Sequence, residues 1–262
     1  MGQAVRAALW ALAVFLPALT ARAAPALQDG GWAVVRQVAD GNTVVLADGR
    51  TVRLIGIEAP LLGVGGQADE PFARAARTQH EALVLERNVH LMVSAVSAAV
   101  IDRYGLVHAH LYDGDGRWVQ GELVASGLAR VHSLADNRAL VPELLAIEGE
   151  ARQAGRGLWG DRRFAVLAPE QAGGHLNAFA IVEGRVLAAD VVDGRTYLNF
   201  GPDYRTDFTA SISAQDARVF RAEGIDLRAL AGRTVRVRGW LYPLNGPMMD
   251  VTHPEQIELL ER

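Results

Sequence analysis

Short β-branched runs cut by Asp-Gly turns dominate the opening of this chain and commit it to antiparallel strands. Residues 32–38 and 43–46 flank the turn Ala39-Asp40-Gly41-Asn42, and a second turn, Ala47-Asp48-Gly49-Arg50, leads into 51–57. Turn residues that tolerate left-handed backbone, set between such runs, specify hairpins, so a three-strand meander is expected. The period then changes: between 70 and 85, Phe72, Ala75, Ala76 and Leu83 recur at helical spacing. Strand character returns at 89–96 and 106–112, and 119–126 and 140–154 read as helices. After a Pro- and Gly-bearing stretch the same grammar recurs. Strands are expected at 180–188 and 196–200 around a turn at 190–195, then a strand at 207–213, a helix at 215–223, and a hairpin of 234–242 with 248–252. Three strands, a helix and two strands is the order of a five-stranded Greek-key barrel of the OB type. The expected fold is therefore mainly β with helices (α+β), built as two OB barrels at 29–164 and 176–262 around a linker at 165–175.

Composition narrows the chemistry. The chain has no Cys, and all 26 of its basic residues are Arg. Disulfides, thiolate nucleophiles, Cys-ligated zinc, Schiff-base lysines and a P-loop lysine are thereby excluded. A net charge of -4 argues against a strongly cationic nucleic-acid binder, although it leaves room for a local basic patch. Residues 1–23 have the layout of a secretory signal: Arg6, an apolar stretch from Ala7 to Thr20, then Ala21-Arg22-Ala23. The apolar run is shorter than the ~20 residues a spanning helix needs, so the expectation is cleavage and export, periplasmic or secreted.

From Val35 to Trp159 the chain resembles the thermonuclease, or staphylococcal nuclease-like, family. The resemblance rests on Val38-Ala39-Asp40-Gly41-Asn42-Thr43, on Val52-Arg53-Leu54-Ile55-Gly56-Ile57-Glu58-Ala59-Pro60 and on Asp102-Arg103-Tyr104-Gly105. It continues through the stretch from Glu122 to Arg130 and the stretch from Glu148 to Trp159. The resemblance implies an OB barrel with packed helices and calcium-dependent cleavage of nucleic-acid phosphodiesters. That chemistry needs hard oxygen ligands for a divalent cation, a general base for the attacking water, and guanidinium groups against the charge growing on phosphorus.

By that resemblance, Asn42 stands where the family keeps a cation-binding carboxylate, and Glu58 occupies the second ligand position. Asp40 is a further carboxylate of the same turn, although Asp before Gly is as often a turn former. An amide for a carboxylate removes a unit of negative charge, so any Ca²⁺ site is weakened. The family's base follows the Pro of the second motif, and here Pro60 is followed by Leu61. Glu70 is a substitute without a spacing argument. Arg53 fills the first phosphate-binding position, whereas the second, after Tyr104-Gly105, holds Leu106. Arg53 could grip a phosphate or pair with Glu58 or Asp40. His108 and His110 share a strand face, which invites a zinc reading that no well-spaced carboxylate completes.

In the second half, Tyr197 and Trp240 could stack bases on an OB face while Arg236 and Arg238 follow the phosphates. Alternatively the aromatics fill a core and the arginines cover its outside. The resulting expectation is an exported nuclease homologue with a degenerate site, acting as a binding or scaffold module for nucleic acid or an envelope protein. The alternative is a weak or altered calcium-dependent nuclease.

Overall fold

The opening β-branched runs close into a barrel in the computed structural model, which describes residues 27–95 and 100–260. The signal expected at 1–23 lies outside the described residues. β1 (Leu27–Asp40), β2 (Thr43–Leu46) and β3 (Thr51–Leu54) form the meander, with Asp40 facing Thr43 and Val45 facing Thr51. The third run ends sooner than expected: a two-residue strand, β4 (Ile57–Glu58), separates from it at Gly56, whose φ is 81°. Then come α1 (Ala73–Val84), β5 (Asn88–Ser94) and β6 (Leu106–Tyr112). The barrel order is β1-β2-β3-β6-β5 with β5 back on β1, and β3 and β6 run parallel. α2 (Val119–Ala125), a two-residue β7 (Arg130–Val131) paired with β4, and α3 (Val141–Gln153) complete this half. Val35, Val44, Val52, Val89, Leu91 and Leu111 fill the barrel, and Val124, Val141 and Leu144 bring the helices onto it. Gly41 is obligatory at the first turn. A Cβ there would lie 2.5 Å from that of Ala59 and 2.8 Å from that of Ala76.

The second half contains β8 (Phe179–Arg185), β9 (Ala188–Val192), β10 (Arg195–Asn199), β11 (Thr209–Ile212) and α4 (Asp216–Ala222). After these come β12 (Thr234–Pro243), β13 (Pro247–Asp250) and β14 (Ile257–Leu260). β9 pairs β10, β10 pairs β11, β11 runs parallel to β13, β13 pairs β12, and β12 pairs β8. Because β8 leads into β9 across only Val186 and Leu187, this path returns on itself in the order of the first barrel, again with one parallel pair. Two expectations change here. The turn assigned to 190–195 narrows to Asp193 and Gly194, whose φ values are 50° and 82°, and residues 188–192 extend as strand. The tail at 257–260 adds to β12. The stretch 165–175 is anchored at two points: Leu167 bridges to Val182, and Ala172 is buried within a 3-10 segment, Pro169–His175.

Arg238 on β12 faces neither solvent nor a ligand. Its guanidinium donates to both carboxylate oxygens of Glu148 on α3 (3.2 and 2.8 Å), to Glu258 (2.6 Å) and to the Val131 carbonyl (3.1 Å). Arg238 is 1% exposed and Glu148 is fully buried. Arg236 pairs with Glu183 and Glu258. A second stitch joins Arg138 to Glu223 and Glu255, and a third places Ser133 2.6 Å from His253 Nε2. The reading of Arg236 and Arg238 as phosphate contacts is thereby corrected, because both are held in ion pairs, Arg238 across the two halves and Arg236 within the second. The alternation of β12 does put polar side chains on one face, and at Arg238 that face meets Glu148 of α3.

Buried histidines make the fold acid-sensitive. His110 donates from Nε2 to the Ala139 carbonyl and accepts at Nδ1 from Trp118 Nε1, a fully used neutral imidazole. Burial takes its pKa down to about 4, outweighing the Ala139 bond. Burial, then the charges of Arg138 and His132, take His253 down to about 3. Both titrate near 6.5 when unfolded, so the unfolded chain binds more protons below that pH and stability falls as acid is added. Between pH 7.5 and about pH 5 the expected loss is about 2 kcal/mol for each group, read as a drop in the urea midpoint. A midpoint that does not move over this range would contradict the assignment.

Candidate functional site

β3 carries Arg53 to the barrel mouth because Thr43 and His108 flank it across the β2 and β6 pairings. There it lines a cavity of about 330 Å³ with Asp102, Tyr104, Leu106, His108, His132 and Asn137. The Asp102 carboxylate fixes the rim by accepting the Tyr104 and Leu106 amides, the Leu106 bond chiefly holding its pKa below the usual carboxylate range. Its other oxygen lies 3.5 Å from His108 Nε2. His108 Nδ1 and both amide atoms of Asn137 are buried with no hydrogen-bond partner in the chain. Arg53 makes no ion pair among the described residues, so the pairing with Glu58 or Asp40 that the sequence allowed is not formed. Leu106, in the position of a second guanidinium, sits in the same lining. His110 faces Trp118 and Ala139 instead, so the two strand histidines do not form a joint site.

The cation position is occupied by interactions of the chain itself. Asp40 Oδ1 accepts the Asn42 backbone amide at 2.8 Å, an Asx turn that closes β1 onto β2. Asn42 is 2% exposed and directs its side-chain amide to the Ile57 carbonyl at 3.4 Å. Glu58 faces Arg130 across the β4–β7 pair, with a 3.2 Å ion pair between them. As placed, one group presents N–H, one carboxylate is neutralised and the third closes a turn, which does not fit a hard divalent cation. Among the described residues no three His, Asp or Glu side chains converge as a ligand set.

Leu61 is half exposed on a loop that the sequence did not resolve. Its amide donates to Glu70 Oε2 at 2.8 Å, and the Glu70 amide donates back to the Leu61 carbonyl at 2.9 Å. This reciprocal closure brings the Glu70 carboxylate to position 61 from nine residues away. No local pattern announces it, because the intervening Gly65 and Gly66 hold left-handed backbone that spacing cannot anticipate. Arg130 and Asn137 also escape a reading of the sequence. Arg130 alone had a signal, as the basic end of the stretch beginning at Glu122.

In the second half, Tyr197 lines a separate cavity of about 580 Å³ with Val192, Asn199, Tyr204, Leu244 and Met248. Trp240 is half exposed on the outward face of β12, its ring edge-on to Phe179. Tyr197 and Trp240 both stand at outward-facing positions, on β10 and β12, with β11 and β13 between them. Phe200 and Phe208 pack with their rings tilted 45° to each other inside the barrel, and Tyr242 donates to Asp250.

A small barrel closed by one parallel strand pair, with an arginine-bearing cavity at that closure and helices beneath, belongs to the OB class as nucleases use it. Comparison with known proteins makes the assignment specific. The profile of staphylococcal nuclease homologues matches residues 51–161. Two curated relatives, each described as an uncharacterized endonuclease, come from Escherichia coli and from Escherichia coli O157:H7. Each is 31% identical over 130 residues, covering 48% of this chain and 76% of the relative. The chain belongs to the staphylococcal nuclease homologue family.

Proposed function

We propose that this protein binds single-stranded nucleic acid through the Arg53 cavity without hydrolysing it, the nuclease scaffold serving as a binding module. The observation that carries this reading is the lining itself: one unpaired guanidinium, Arg53, beside an aliphatic Leu106. A lone guanidinium can hold a phosphate through charge-assisted hydrogen bonds. Hydrolysis asks for more, since a missing base costs about 10²–10⁴-fold and a missing charge-stabilising donor about 10²–10³-fold. Arg53→Ala is expected to weaken binding of a labelled single-stranded oligonucleotide in EDTA and to lower the salt slope by about 1, measured by anisotropy over a salt series. Binding unchanged in both respects would end the proposal and leave an envelope protein as the partner to seek. The proposal includes export, with cleavage after Ala23. Mass spectrometry of the mature chain tests it, and an intact Met1 start would contradict it.

One observation favours a second reading, a weak calcium-dependent phosphodiesterase. The Glu70 carboxylate at position 61 supplies an acidic group near the place that the family's base occupies. In this reading Glu70 orients the water and Arg53 holds the phosphate.

A further inference from the structure

Arg130 is held from two directions. On its own barrel it meets Glu58 across the β4–β7 pair. From the other side, the second barrel's Phe179 places its ring 4.3 Å from the guanidinium carbon and offers its backbone carbonyl at 3.4 Å from Nη1. A guanidinium over an aromatic face, with a carbonyl at its edge, has its planar fork fixed at both ends. Phe179 is itself immobilised: it is 7% exposed, pairs with Trp240 across β8 and β12, and packs edge-on against both Trp240 and His132. The ion pairs of Arg238 with Glu148, and of Arg138 with Glu223 and Glu255, keep the barrels from parting around it.

We propose that the second barrel locks the first barrel's cation position: Phe179 seats Arg130 so that its guanidinium occupies the Glu58 carboxylate that a divalent ion would need. Glu58 and Arg130 are both largely shielded from solvent, with side-chain exposures of 15% and 20%. Their attraction is therefore screened less than that of a surface pair, and an incoming cation must displace a positive charge already in place. This inference deepens the binding reading, on which it rests, by assigning the idle cation position to a contact between the barrels. On this account the second barrel controls the site of the first.

The test is calcium titration by calorimetry of the full chain and three variants, each first checked for native circular dichroism. Arg130→Met is expected to bind Ca²⁺ at least about tenfold more tightly than the unaltered chain, because a carboxylate is returned to the site. Adding Glu58→Gln to that variant is expected to abolish the gain. Phe179→Leu keeps apolar volume but removes the ring from under the guanidinium. It is expected to tighten binding by about two- to threefold, since cation–π contact is only part of what holds Arg130. A folded Arg130→Met chain with unchanged affinity, or a gain that survives Glu58→Gln, would overturn the lock. Should Arg130→Met not fold, unchanged affinity in Phe179→Leu overturns it alone. Cleavage by the unaltered chain is a separate outcome. It would sink the binding reading, whereas the lock stands or falls on the calcium affinities.

Discussion

The triple variant Asn42→Asp, Leu61→Glu, Leu106→Arg is expected to cleave single-stranded DNA in calcium at least about 10²-fold faster than the unaltered chain. Two of the three positions can take charge without burial cost. Leu61 is half exposed, and Leu106 lines the open cavity beside Arg53. Asn42 is the costly one. It is almost wholly buried and its amide donates to the Ile57 carbonyl, so Asp there places an acceptor against an acceptor. That substitution is expected to lower stability by about 1–3 kcal/mol, and the pair Leu61→Glu with Leu106→Arg serves as the better-folded comparison. If the Arg130 lock holds, adding Arg130→Met raises the rate further. A triple variant that is folded and inert would show that the scaffold has lost more than three side chains.

Arg238→Met is expected to destabilise the protein by about 3–5 kcal/mol, the cost of removing one member of a buried ion pair. Glu148 would keep the Val131 amide at 2.7 Å and Arg152 at 3.3 Å, but lose both bonds from Arg238. Because the pair joins α3 of one half to β12 of the other, the loss is expected to split urea unfolding into two transitions as well as shift it. Arg238→Met with Glu148→Met should recover much of the stability, since replacing both members of a buried pair by apolar groups is far less costly than removing one. A single sharp transition at the original midpoint in Arg238→Met would mean that the ion pair contributes nothing to coupling the barrels.

Most of the fold was legible because it is written in local signals. The Asp40 and Asp48 turns separate runs whose alternation decides which side chains enter the barrel, and both hairpins fall where those residues put them. Elements of two residues were not legible: β4 and β7 are too short to show any period, yet their pairing brings Arg130 to Glu58. The 190–195 turn was misplaced because Asp190, a residue common in turns, here faces Tyr197 within a strand. At the site, the substitutions at 42, 61 and 106 could be seen against the family pattern. Glu70 could be named only without a spacing argument, and Arg130 and Glu148 not at all, because all three reach their partners through tertiary closure. Arg238 illustrates the limit most plainly. Period two places it with Arg236 on the polar face of a strand, but nothing in one strand tells that Glu148 of α3 will bury Arg238 there.

The most direct test of the account is a calcium titration on the purified protein with labelled single-stranded DNA, following anisotropy and cleavage in the same samples. Binding that depends on Arg53, persists in EDTA and yields no cleavage product at any calcium concentration is the predicted result. Cleavage that requires calcium and disappears in EDTA would contradict it, and its further loss in Glu70→Gln would identify Glu70 as the base.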